Sequence, residues 1–280
     1  MRPSDGLRAV GAALAAMGLS ACMVACTTTS PIMPTTSATS LQVYAAGSLR
    51  GALTEIAQRY EAETGTAVVL TFGPSGLLRA RIEKGEPAQV FASADTQHPA
   101  ALAASSADWQ APSRFARNQL CAISQPALAA TPDTLLPLML TPQVKVGMST
   151  PGVDPAGDYA WALFRQAEAV QPGAYAVLSA KALKLTGSPA APTPPAGQGA
   201  YAWLMATGQA DVFLTYCTNA AAAVREVPHL QQVALPAALQ VGADYAMTGR
   251  TRDANAQRFV QYLLAAPAQA MFARFGFGPP

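Results

Sequence analysis

Histidine, cysteine and charge are all scarce in this chain. Its 280 residues hold two histidines, His98 and His229, and four cysteines, two of which fall at Cys22 and Cys26. A zinc centre built from Cys and His therefore has no recognisable ligand set, and neither H-E-x-x-H nor C-x-x-C spacing occurs. An imidazole base would have to be one of two residues that each sit beside a proline in turn-like sequence, where a solvated role is the ordinary one. Charged residues make up only 12%, with 18 Lys and Arg against 16 Asp and Glu. That balance leaves no electrostatic footprint for nucleic acid and no basic run to hold a membrane surface.

Nucleotide-binding and nucleophile motifs are missing as well. There is no G-x-x-x-x-G-K-[ST] loop, and Gly197 to Ala202 matches G-x-G-x-x-A only after a proline-rich segment, where a dinucleotide site needs a strand. The segment Gly73-Pro-Ser-Gly-Leu77 falls short of the G-x-S-x-G elbow because Leu77 replaces the last glycine. These gaps point away from an enzyme, from a metal centre and from a bound cofactor.

What the chain does have is 51% hydrophobic residues and enough length for two domains of ordinary size. Arg2 and Arg8 precede an uncharged run from Ala9 to Cys26, the pattern of a secretion signal. Within it, Leu19-Ser-Ala-Cys22 resembles a bacterial lipoprotein box. It predicts a signal peptide over residues 1–21, a lipid on Cys22 and hence a membrane-anchored protein of the periplasm. Residues 22–40, rich in Thr, Ser and Pro, read as a flexible tether. In an oxidising compartment Cys121 and Cys217 could pair or could remain two buried thiols; spacing alone does not decide.

The body opens with a strand from Val43, a small-residue turn at Gly47 and Ser48, and a helix whose Leu53, Ile56, Ala57 and Tyr60 form one apolar face, with Glu55 and Arg59 paired on the other. The pattern recurs: strand Val68–Phe72, a turn carrying Ser75, then a helix closed by Gly85. Successive parallel units bring such turns to one sheet edge. Helix N-termini there would offer unpaired N–H groups and a positive dipole end to an anion. Later, Ser149 to Gly157 leads as a turn into a helix from Asp158, residues 175–185 read as helix, and a strand ends at Tyr216.

These runs together resemble the periplasmic molybdate-binding proteins of ABC importers. The matching segments are Val43–Ala57, Phe72–Ile82, Gly85–Asp95, Asp154–Tyr159, Gly208–Ala220 and Phe272–Phe277. The resemblance implies an α/β, two-lobed periplasmic-binding-protein fold. Each lobe would be a mainly parallel sheet flanked by helices, with lobe I over residues 41–116 plus 245–280, lobe II over 117–244 and the ligand cleft between them. It implies capture of a tetrahedral oxyanion, molybdate or tungstate, and delivery to the membrane subunits of an ABC permease by a monomeric carrier. Carried over by motif, the ligand-binding residues are Ser48 and Ser75 by hydroxyl, Ala156 and Gln198 by backbone N–H, and Tyr216 by its phenol. Departures from the family pattern stand at Pro74, at Asp154 and at Ala246, where a proline is frequent. Two other classes remain open: a secreted serine hydrolase acting through Ser75, and an envelope lipoprotein that has lost ligand binding.

Overall fold

The computed structural model describes residues 40–280, so the signal segment, Cys22 and nearly all of the tether lie outside the described residues. The first elements alternate: β1 (Leu41–Ala46), α1 (Arg50–Thr64), β2 (Val68–Gly73), α2 (Ser75–Glu83), β3 (Val90–Ser93) and α3 (Gln97–Ser105). β1 lies parallel between β2 and β3, with Ala46 opposite Gly73 in register. The turns that follow β1 and β2 therefore leave one edge of the sheet side by side. α1 buries Leu53, Ile56, Ala57 and Tyr60 and ends at Gly65, whose left-handed backbone stops the helix. Its charged side differs from expectation: Arg59 pairs with Glu63 at 2.7 Å, and Glu55 meets Arg274 near the C-terminus.

β4 (Ser113–Ser124) is one strand serving two halves of the molecule. Its first part, to Gln119, pairs antiparallel with β9 (Gly242–Gly249). From Leu120 onward it pairs instead with β7 (Val212–Tyr216) and with β8 (Gln231–Ala234). Among the described residues the path runs β2-β1-β3-β9-β4-β7 and on through β5 (Val146–Ser149) to β6 (Leu183–Thr186), with β8 beside β4. This is a curled mixed sheet flanked by helices, the two-lobed architecture of periplasmic binding proteins. The βα units pair in parallel, while β4 and β9 join them antiparallel.

The second half holds α4 (Pro132–Leu140), β5 (Val146–Ser149), α5 (Pro155–Val170), α6 (Ala174–Lys181), β6 (Leu183–Thr186), α7 (Ala200–Ala206) and α8 (Cys217–Glu226). Helix α6 stops at Lys181, short of expectation, because Leu183–Thr186 instead extends the sheet beside β5. Four residues following an alanine-rich helix carry too little period-two signal to read as a strand. α9 (Ala254–Leu264) and α10 (Ala266–Arg274) return to the first half, where α10 lies against α1 and α9 against β9. Cys121 on β4 and Cys217 at the start of α8 are joined by a disulfide.

Candidate functional site

The serine turns sit where the βα alternation delivers them. Ser48 lies in a short 3-10 turn between β1 and α1, half-buried, and its Oγ is 2.8 Å from the hydroxyl of Tyr245 on β9. Ser75 is the first residue of α2 and is buried. Its Oγ accepts a hydrogen bond from the backbone N–H of Ala94 at 3.2 Å, which leaves the Ser75 hydrogen free for another acceptor.

Tyr216, at the end of β7, reaches the same place from the other half. Its hydroxyl donates to the carbonyl of Ala94 at 3.4 Å, so Ser75 and Tyr216 meet on one residue of the first half. The Tyr216 ring packs at 5.5 Å from that of Tyr245 and at 6.2 Å from that of Tyr159 on α5. Burial pushes the phenols of Tyr216 and Tyr245 well above their ordinary range, so both remain neutral hydroxyls.

The N-terminus of α5 closes the site from the second half. Ala156 is buried there, and its N–H donates to Asp154 Oδ1 at 3.1 Å, an N-cap bond. Asp154 thus already holds the donor assigned to a ligand. Burial, reinforced by the neighbouring Asp158 and Asp95, raises the Asp154 carboxyl to about 6, against the pull of the Ala156 N–H and the Ser149 hydroxyl. Ahead of α5, the carbonyl of Val153 accepts from the N–H of Gly76 on α2 at 2.9 Å, a direct bridge between the halves.

Gln198 is not brought to this cluster. It lies exposed in the proline-rich loop, with its N–H donating to Pro195 O at 3.2 Å, and the next residue, Gly199, donates to the Glu226 carboxylate. Placing it by ungapped counting from the motif ignores the prolines, which redirect the chain away. The guanidinium of Arg50 stacks over Phe72 and Arg79 pairs with Glu83, so neither is committed to the site. Reading the sequence alone missed Tyr245 and Asn118. Asn118 Nδ2 lies 3.3 Å from the Tyr245 hydroxyl and 2.9 Å from Thr218 Oγ1, and all three belong to strands or helices far apart in the chain.

Neutral hydroxyl groups and a helix N-terminus converge here from two halves of a binding-protein fold, an arrangement suited to holding a small solute. The chain belongs to the bacterial extracellular solute-binding protein family, whose profile matches residues 41–278. It is 35% identical to the uncharacterized protein PM1146 of Pasteurella multocida over 85% of this chain and 98% of that one. It is 27% identical to the molybdate-binding protein ModA of Mycobacterium bovis, over 96% and 95% of the two chains. In three dimensions it is similar to the periplasmic molybdate-binding protein of Azotobacter vinelandii, with a TM-score of 0.67 and 21% identity over 86% of this chain and 99% of that one. A similar likeness, TM-score 0.71 at 17% identity over 86% of each chain, holds for the sulfate-binding protein SubI of Mycobacterium tuberculosis. Family and fold are those of solute-binding proteins. Among the described residues no helix is long and apolar enough to cross a membrane.

Proposed function

We propose that this protein captures a tetrahedral oxyanion, molybdate or its near-isostere tungstate, outside the cytoplasmic membrane and hands it to an ABC permease. The observation that carries the reading is the convergence of Ser48, Ser75 and Tyr216, each an uncharged hydroxyl, at adjoining helix N-termini of both halves. The free hydrogens of Ser48 and Ser75 and the helix N-termini complement a bare anion without a lysine or arginine, and Tyr216 joins them by turning its hydrogen from the Ala94 carbonyl to the ligand. The molybdate-binding ModA relative supports molybdate over other oxyanions. The sulfate-binding neighbour makes sulfate the competitor to be tested. Discrimination would come from cavity size, because like-charged tetrahedral anions present the same acceptors.

Lobes meeting on β4 and β9 would close over the ligand by a hinge motion, one lobe formed by residues 41–116 with 245–280 and the other by 117–244. A lipid on Cys22 would hold this monomeric carrier at the membrane while the Thr/Ser/Pro tether lets it reach the permease. Calorimetric titration of the purified protein with molybdate, tungstate and sulfate tests the reading. Molybdate and tungstate should bind at micromolar or tighter Kd and sulfate more weakly; absence of binding by all three at that level sinks it.

A further inference from the structure

Four buried or half-buried polar side chains form a continuous line from the cleft through the middle of the sheet. Ser48 Oγ meets Tyr245 Oη at 2.8 Å, Asn118 Nδ2 reaches that same Oη at 3.3 Å, and Asn118 Nδ2 also donates to Thr218 Oγ1 at 2.9 Å. Asn118 stands on β4 one residue before the last pair with β9, just where that strand changes partner to β7. The direction of each bond can be worked out from the one group whose role is unambiguous. The backbone N–H of Gln119 donates to Asn118 Oδ1 at 2.9 Å, which marks that atom as the amide oxygen. Nδ2 therefore faces Tyr245 and donates to it.

With its oxygen already accepting, the fully buried Tyr245 must spend its single hydrogen; the Tyr216 hydroxyl also faces it, but Ser48 Oγ at 2.8 Å is the acceptor in hydrogen-bond geometry. The Ser48 oxygen then accepts from the phenol, and its own hydrogen is left to point into the cleft. Ser75 reaches the same polarity by a different route, since Ala94 N–H donates to its oxygen.

We infer that Asn118 and Tyr245 are positioning residues that fix the direction of the Ser48 hydroxyl, making it an obligatory donor and reserving that corner of the cleft for an oxygen that carries no proton. The inference rests on the oxyanion reading and deepens it. A fully ionised oxyanion satisfies Ser48 in any rotation, whereas hydrogen phosphate must turn its hydroxyl elsewhere. Without Tyr245 Oη the Ser48 hydroxyl rotates freely and can accept as well as donate.

The test is a double-mutant cycle on molybdate affinity with Tyr245→Phe, Ser48→Ala and the pair together, each variant's melting temperature recorded alongside. Tyr245→Phe keeps the ring that packs against Phe115, Tyr216 and Phe277. It should weaken molybdate binding about tenfold, as loss of one well-placed hydrogen bond does. In the Ser48→Ala background the same change should have almost no effect, because its target is gone. The preference for sulfate over hydrogen phosphate should also shrink several-fold in Tyr245→Phe, a shift that lost packing would not produce. Penalties that simply add, or a Tyr245→Phe protein that binds as the parent does, overturn the inference and leave the oxyanion reading standing. A parent protein that binds none of the oxyanions removes both. Should Tyr245→Phe fail to fold, Asn118→Ala is read in the same cycle, with the same loss of effect in the Ser48→Ala background expected and additivity again decisive.

Discussion

At the residue scale, Ser48 and Asp154 pull the site in opposite directions. In the proposed reading Ser48 offers a hydrogen to an anion, so Ser48→Ala should weaken molybdate binding about tenfold; it also takes the acceptor from the buried Tyr245 hydroxyl, which should lower the melting temperature by a few degrees. Asp154 places a carboxylate on the very N–H that an anion at α5 would use. Its folded-state value, raised to about 6 from an ordinary 3.8, fixes the sign of the pH response. Above pH 6 the carboxylate is charged in both folded and unfolded chains, and folding bears the cost of desolvating it. As the pH falls from 6 towards 4 the folded chain takes up the proton first, so that cost is relieved and stability rises in this window. Repulsion of a dianion falls over the same range. Calorimetry at pH 7.5 and pH 5.5 should therefore show tighter molybdate binding at the lower pH. Asp154→Asn keeps an oxygen for the Ala156 N–H but removes the charge. It should bind about tenfold tighter at pH 7.5 and lose most of the pH dependence; a steeper or unchanged pH response in that variant would contradict the assignment.

At the scale of elements, the disulfide fastens the strand shared by both halves to the helix that begins beside Tyr216. Cys121 follows Leu120, the first residue of β4 to pair with β7, and Cys217 opens α8. The bridge closes a sequence separation of 96 residues, so its loss through Cys121→Ala with Cys217→Ala should cost about 2–4 kcal/mol. Urea unfolding of the double variant against the parent measures this; an unchanged midpoint would show the bridge to be dispensable. Elements also explain which parts of the site could be read from sequence. Ser48 and Ser75 were legible because strand, turn and helix are local, and their order is visible in apolar periodicity. Tyr245 and Asn118 were not, since their meeting is created by the pairing of β4 with β9, and neither residue's neighbours in sequence signal it. Gln198 lies away from the cluster for the converse reason: motif counting places residues along a line, and the prolines from Pro189 to Pro195 bend that line into an exposed loop.

For the whole molecule, the proposed closure of the two halves over a ligand makes a prediction of its own. The carbonyl of Val153, at the approach to α5, accepts from the N–H of Gly76, in the first turn of α2, at 2.9 Å. A Cβ built on Gly76 would stand 2.7 Å from that same oxygen, closer than side chains approach a carbonyl. Gly76 is thus required by a contact with a residue of the other half and by nothing in its own helix, where alanine is the better former. Gly76→Ala should accordingly break the Gly76–Val153 hydrogen bond and hold the halves apart, at a cost of about 1 kcal/mol that the better helix former partly offsets. Molybdate would then bind to a form that closes less often, and its apparent Kd should rise about tenfold in proportion to the closed fraction lost. Small-angle scattering supplies the independent readout, because saturating molybdate should contract the parent more than the variant. Equal contraction with equal affinity would mean that the Gly76–Val153 approach is incidental to closure, and that the hinge at β4 and β9 alone sets the closed state.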